Sequence, residues 1–251
     1  MKDYSKERYF LKSFTFTDLE EIETDQGKKI PEPPLQKSCN DKKLIELITP
    51  QDFQCGTMDL LTILKKRKSR RVFSKEALTL EELSYLLWSA QGVKKIVKNG
   101  YATLRTTPSA GARHPFETYI IVFNVLELEK GLYRYLPLEH KMVFEKSIDN
   151  LEYKLNKATF DQNFVSRGAA TFVFTAIPYR SEWRYDTAAH KCIALDAGHL
   201  CENLYLAAES IDCGTCAIAA YDQELMDELL GVDGEEEFTI YLAPIGKQNS
   251  D

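Results

Sequence analysis

Thr118-Tyr119-Ile120-Ile121-Val122-Phe123 is the stretch on which the fold turns. β-Branched and aromatic residues follow one another without the polar alternation of a half-exposed strand, the pattern of a strand buried on both faces. It reads as the central strand of a sheet covered from two sides. Residues 132–136 and 141–144 form a shorter pair joined around Pro137, and residues 171–177 and 238–242 supply two more strands. Helical spacing marks the covering layers. Ile193, Ala197, Leu200, Leu204, Ala207, Ala208 and Ile211 fall on one face of a long helix over 188–211, which must be substantially buried. Leu60, Leu61 and Leu64 share one side of a short helix over 59–66. Thr79 and Glu82 form a capping box for another, in which Leu83, Leu86, Leu87 and Ala90 recur until Gly92 ends the run. Helices are also expected over 151–160 and 224–230, the second capped by Asp222 and closed by Gly231. Helices cluster before and between the strands instead of alternating with them, so the order predicts an α+β sandwich over a doubly wound parallel sheet.

Pro31, Pro33, Pro34 and Pro50 lie among polar residues in 24–57; proline fixes φ and removes a donor, so this region reads as an extended arm. The 251 residues divide into an N-terminal arm, 1–58, and one domain, 59–251. With 44% apolar and 28% charged residues the composition is that of a folding globular chain. A net charge of −6, a pI near 5.4 and the lack of a Lys/Arg stripe interleaved with aromatics argue against nucleic acid or an anionic membrane as partner. The apolar stretches 119–123 and 171–177 fall far short of the ~18 residues a spanning helix needs. Residues 1–13 mix acids and bases with no continuous apolar core, so a cytoplasmic protein is expected. Cys39, Cys55, Cys192, Cys201, Cys213 and Cys216 are scattered, and reduced thiols are the default. Neither GxGxxG nor GxxxxGK[ST] occurs, so nucleotide binding would need another device.

Two segments stand out chemically. Arg67-Lys68-Ser69-Arg70-Arg71 on composition reads as a solvated turn, but Arg67, Ser69 and Arg71 alternate, and in an extended chain would offer two cations and a hydroxyl to one anion such as a phosphate. Pro108-Ser109-Ala110-Gly111-Ala112-Arg113-His114-Pro115 is rich in small residues just before the central strand, so its backbone amides can approach a flat ligand; an ordinary loop is the equal alternative. Cys213-Gly214-Thr215-Cys216 has dithiol spacing but follows a helix instead of opening one, which disfavours redox activity. His190, Cys192, His199 and Cys201, two apart on one helix, point to different sides, so no metal site is expected. Trp88 reads as core or interface, and Trp183, Arg184 and Tyr185, in a polar stretch, are substrate-side candidates.

Taken with Leu80-Glu81-Glu82-Leu83, Leu87-Trp88-Ser89-Ala90-Gln91-Gly92, Ala197-Gly198-His199, Glu202-Asn203-Leu204, Cys213-Gly214-Thr215 and Ala243-Pro244-Ile245-Gly246-Lys247, these segments resemble the nitroreductase superfamily. They follow the order of its SagB/ThcOx-type branch, the azoline-oxidase-like dehydrogenases, across residues 59–247. The resemblance implies a central mixed sheet packed by helices, an intertwined homodimer and FMN at the subunit interface. It implies that Arg67, Ser69 and Arg71 hold the FMN, with Arg71 near flavin N1 and O2, and that Pro108, Ser109, Ala110, Gly111 and Arg113 approach from the other subunit. Cys213, Gly214 and Thr215 would offer backbone groups near N5, and Lys247 would close over the phosphate. No protein nucleophile is implied, because flavin carries the hydride. The expected activity is ping-pong hydride transfer from a donor such as NAD(P)H to a small organic acceptor, with the arm wrapping the partner. Ala112 stands where many nitroreductases have Asn, which favours the azoline-oxidase-like branch. Arg184-Tyr185 stands where ring oxidation is associated with Lys-Tyr, and arginine is a poor base because it stays protonated. The alternatives are a dehydrogenase of azolines or other peptide-derived substrates, and a non-catalytic flavin-binding or sensing protein.

Overall fold

A computed structural model describes residues 2–19, 21–39, 42–97 and 100–249. Residues 118–122, followed directly by Phe123, lie in β4 (Phe116–Val122), whose seven residues are all buried. Its side chains feed two separate cores. Ile120 and Val122 pack with Phe172 and Phe174 of β7 (Ala170–Ala176), under α4 (Leu80–Gln91) and α7 (Ala189–Ser210). Tyr119 and Ile121 face the other way, against α5 (Leu151–Ala158) and α8 (Gln223–Leu230). Period-two alternation in an all-apolar strand thus yields a three-layer sandwich. No helix among the described residues is long and apolar enough to cross a membrane.

The sheet has seven strands, in the order β1 (Leu44–Glu46), β6 (Lys141–Lys146), β5 (Gly131–Leu136), β4, β7, β9 (Phe238–Lys247), β8 (Cys213–Thr215). Every ladder in it is antiparallel, in place of the mixed sheet the resemblance implied. Parallel pairing is confined to isolated bridges, Ser69 with Thr215 and Leu78 with Val125. Short hairpins join β4 to β5 and β5 to β6, and such connections force antiparallel neighbours. A hairpin of β2 (Val93–Val97) and β3 (Ala102–Arg105) stands apart.

The capping box forms as read: Thr79 Oγ1 accepts from Glu82 N at 3.2 Å, and Glu82 Oε2 from Thr79 N at 2.9 Å. Gly92 closes α4 for a reason other than a left-handed cap. Its φ is −59°, and a Cβ there would lie 2.3 Å from the Trp88 ring. Asp222 accepts from Leu225 N at 3.1 Å and Gly231, at φ +83°, ends α8.

One expectation about side chains changes. On α3 (Leu60–Lys66) it is Ile63 that is buried, while Leu60, Leu61 and Leu64 are exposed. The arm, for its part, is bound to its own domain. β1 extends the sheet at β6, Trp183 Nε1 donates to Ile30 O at 2.9 Å, and Arg105 Nη2 donates to Leu35 O at 3.1 Å. Arg134 donates to Lys37 O and Ser38 O at 3.0 and 2.7 Å, and Glu117 accepts from Lys37 N at 2.7 Å and Arg180 Nη2 at 2.5 Å. Buried charges persist where they are paired, and here they clamp the strap.

Candidate functional site

The basic segment leaves α3 and runs along the free edge of β8. Ser69 bridges Thr215, and Arg70 N donates to Thr215 O at 2.8 Å. Only glycine permits this approach, since a Cβ on Gly214 would come 2.5 Å from Arg70 Cδ. Arg70 turns inward and pairs with the buried Glu209 at 3.0 Å. Arg67 and Ser69 meet at one residue of α7. The Arg67 guanidinium lies 5.4 Å from the Tyr205 ring centroid, and Ser69 Oγ and Tyr205 Oη are 3.1 Å apart. Arg71 parts from them and stands over Phe164 at 5.9 Å, because the chain turns after the Ser69 bridge so that Ser74 N reaches Lys247 O. Neither Arg67 nor Arg71 is ion-paired among the described residues.

Lys247, beside Cys213 in the β8–β9 ladder, pairs with Glu82 Oε1. Burial disfavours its charge, but the Glu82 carboxylate outweighs that and raises its pKa. Glu82 thereby serves the α4 cap and the sheet edge together. The Cys213 thiol is pushed up to about 12 by burial, so it is a packed, unreactive group. No group of three His, Cys, Asp or Glu among the described residues could hold a metal ion.

The small-residue loop is a strained turn. Gly111, Ala112 and His114 have φ of +58°, +54° and +45°, a region non-glycine residues avoid, and such strain concentrates at functional sites. Asp196 on α7 holds it: Ala110 N donates to the carboxylate oxygens at 3.0 and 3.3 Å. Burial raises the pKa of Asp196. Ser109 Oγ accepts from His114 N at 2.9 Å, and Pro108 is exposed. Arg113 is buried within the loop's own support, donating to Gly111 O at 3.2 Å and Tyr101 O at 2.9 Å, and it presents no free charge to a ligand from this chain.

Of the substrate-side trio, Trp183 is 3% exposed and anchors the arm, so in this chain it is a structural residue. Arg184 and Tyr185, at the end of α6 (Tyr179–Tyr185), pack on the loop: a Cβ on Gly111 would lie 2.6 Å from Tyr185 Oη and 2.8 Å from Arg184 Cδ. Phe16 of α2 (Phe14–Asp18) lies 6.5 Å from Tyr185 between ring centroids.

The loop and the basic segment are therefore organised by one helix, at Asp196 and Tyr205, about 13 Å apart along its axis. Sequence reading missed both residues. Asp196 carried a signal, as an acid beside Ile193 and Ala197 on a buried face; Tyr205 carried none. Between them α7 presents Gly198, His199 and Glu202 to solvent, and Ala194 and Leu195 extend the exposed strip just before Asp196.

This sandwich, with a cationic segment at one sheet edge and a strained loop at the other end of its longest helix, is that of an oxidoreductase family. The chain belongs to the nitroreductase family, whose model matches residues 64–247. It is 31% identical over 187 residues to a candidate nitroreductase of Methanocaldococcus jannaschii, covering 74% of this chain and 89% of that one. The crystal structure of a candidate nitroreductase from Ralstonia eutropha JMP134 superposes with a TM-score of 0.68 at 26% identity, covering 88% of this chain and all of the other. Similarity also extends to the trifolitoxin-processing protein TfxB of Rhizobium leguminosarum bv. trifolii, 26% over 159 residues, covering 59% of this chain but 42% of that protein.

Proposed function

We propose that this oxidoreductase is a cytoplasmic homodimer that binds FMN at Arg67, Ser69 and Arg71 and passes reducing equivalents from NAD(P)H to a small organic acceptor. The observation that carries the reading is the polar inventory at the β8 edge. Ser69, Arg70, Arg71 and Gln248 line a cavity of about 290 Å³, and of its two arginines Arg71 has no ion pair among the described residues. Beside it, Arg70 Nε and Thr215 Oγ1 are buried with no hydrogen-bond partner among the described residues. Buried polar atoms without partners are rare, and an anionic, acceptor-rich ligand suits this set.

FMN, when bound, supplies hydride acceptance and donation at N5, so the protein needs no nucleophile. Arg67 and Ser69 bind the phosphate. Arg71 is assigned to the negative charge that reduction leaves on the pyrimidine edge, where a cation raises the reduction potential. The amides of Cys213, Gly214 and Thr215 line the same edge, and Lys247 closes it while held by Glu82. The exposed strip of α7 supports the homodimer. A two-fold axis through its middle would carry the partner's loop 108–115 to this subunit's Arg67 and Ser69, which meet α7 at Tyr205, nine residues beyond the loop's anchor at Asp196.

A second reading, dehydrogenation of azolines or other peptide-derived substrates, draws on the likeness to the trifolitoxin-processing protein and on the packing of Arg184 and Tyr185 against the loop. Anaerobic mixing of the FMN-loaded protein with NADH and with NADPH separates the two. Bleaching of the flavin band, reversed by a quinone or nitro compound, supports the first. A flavin that neither nucleotide bleaches but a peptide azoline does refutes it in favour of the second.

A further inference from the structure

We infer that Tyr205 is the positioning residue that makes Arg67 and Ser69 a phosphate-binding pair; the inference rests on the FMN reading above. Three contacts converge on this side chain. Its hydroxyl accepts from Ala217 N at 2.8 Å. That bond takes one lone pair and leaves the hydroxyl hydrogen without another acceptor among these contacts, so it is assigned to Ser69 Oγ, 3.1 Å away. A serine that accepts from Tyr205 has its own hydrogen directed outward, as a donor to an anion. The ring meanwhile lies beneath the Arg67 guanidinium at 5.4 Å, which orients a planar fork that has no carboxylate partner among the described residues.

Ala217 follows β8, so the same oxygen ties the basic segment to the loop leaving the sheet edge. The Ser69–Thr215 bridge and the tight approach at Gly214 fix the backbone of that segment. They leave its side-chain directions open, and Tyr205 supplies those. The hydroxyl governs Ser69, and the ring governs Arg67. A phenylalanine at this position separates the two roles, because it keeps the ring and removes the hydroxyl.

The test compares FMN with riboflavin, which lacks the phosphate, by titrating the full-length protein and following quenching of flavin fluorescence. For Tyr205→Phe, FMN affinity is expected to fall roughly ten-fold, the scale of one hydrogen bond to a charged group, with riboflavin affinity unchanged. Ser69→Ala should match that loss, and Tyr205→Phe made on top of it should add less than about two-fold, because the two act as one unit. Tyr205→Leu, which also frees Arg67, should lose more, again for FMN alone. Equal losses for both flavins would make Tyr205 a merely structural residue and overturn the inference, as would an unchanged FMN affinity. If Tyr205→Phe does not fold, Ser69→Ala, at an exposed side chain, carries the same comparison. Wild-type protein that binds neither flavin would instead overturn the FMN reading itself.

Discussion

Acid should open the strained loop through His114. His114 is 4% exposed, and its Nε2 lies 3.1 Å from Thr103 O, which can only accept, so that nitrogen carries a hydrogen. Protonation would add a cation in a dry site facing Arg105 and Arg113. Burial, and after it the Arg105 charge, lower its pKa from 6.5 to about 3. A base with a depressed folded pKa stabilises the fold above its unfolded value and loses that contribution as pH falls. The affected window therefore runs from about pH 6.5 down to about 3. At about 1.4 kcal/mol per unit the full loss is about 5 kcal/mol, comparable to the whole stability of a small domain. Urea unfolding at a series of pH values would measure it, against His114→Asn, which tolerates the left-handed backbone and does not titrate. The variant should start less stable at pH 7 and show a shallower decline, with the difference between the proteins shrinking steadily below pH 6.5. Parallel curves across the window would refute the reasoning.

Gly111→Ala places a Cβ 2.6 Å from Tyr185 Oη in a left-handed backbone, so about 1–2 kcal/mol of strain plus displacement of Arg184 and Tyr185 is expected, read as a lowered Tm and altered acceptor preference; a wild-type Tm would contradict it. Asp196→Asn tests the loop anchor. Burial raises the Asp196 pKa above 3.8, so stability is lost as pH rises from 3.8 to the folded value and stays lost above it; the variant should gain stability at neutral pH, and the gain should vanish near pH 4 and below, as thermal scans against pH would show. Gly198→Leu meets nothing within 4 Å of its Cβ and should raise monomer helix stability by about 1 kcal/mol, yet weaken self-association in sedimentation velocity; an unchanged dimer would remove α7 from the interface.

The layered architecture was legible because it is written in local periodicity. The run at 118–123, the capping box at Thr79 and Glu82, and the stripe from Ile193 to Ile211 each identify an element and its buried face. β1 and β8 were not legible, since three-residue strands have no period of their own and exist only through β6 and β9. The antiparallel sense of the sheet depends on which strands become neighbours, and no single segment encodes that. Site residues divided similarly. Backbone demands at Gly111 and Gly214 could be anticipated from small-residue composition. The burial of Arg113 and Trp183 could not, because the partners that bury them, Tyr101 and the strap at Ile30, lie in other segments. The exposed leucines of α3 show the reverse, an apolar stripe with no surface of its own chain to cover.

The central claim is that this fold holds FMN, and an absorption spectrum tests it most directly. Purified protein incubated with FMN and then desalted should be yellow, with flavin bands in stoichiometric amount and quenched fluorescence. A colourless protein that leaves the fluorescence of added FMN unchanged would contradict the account at its root.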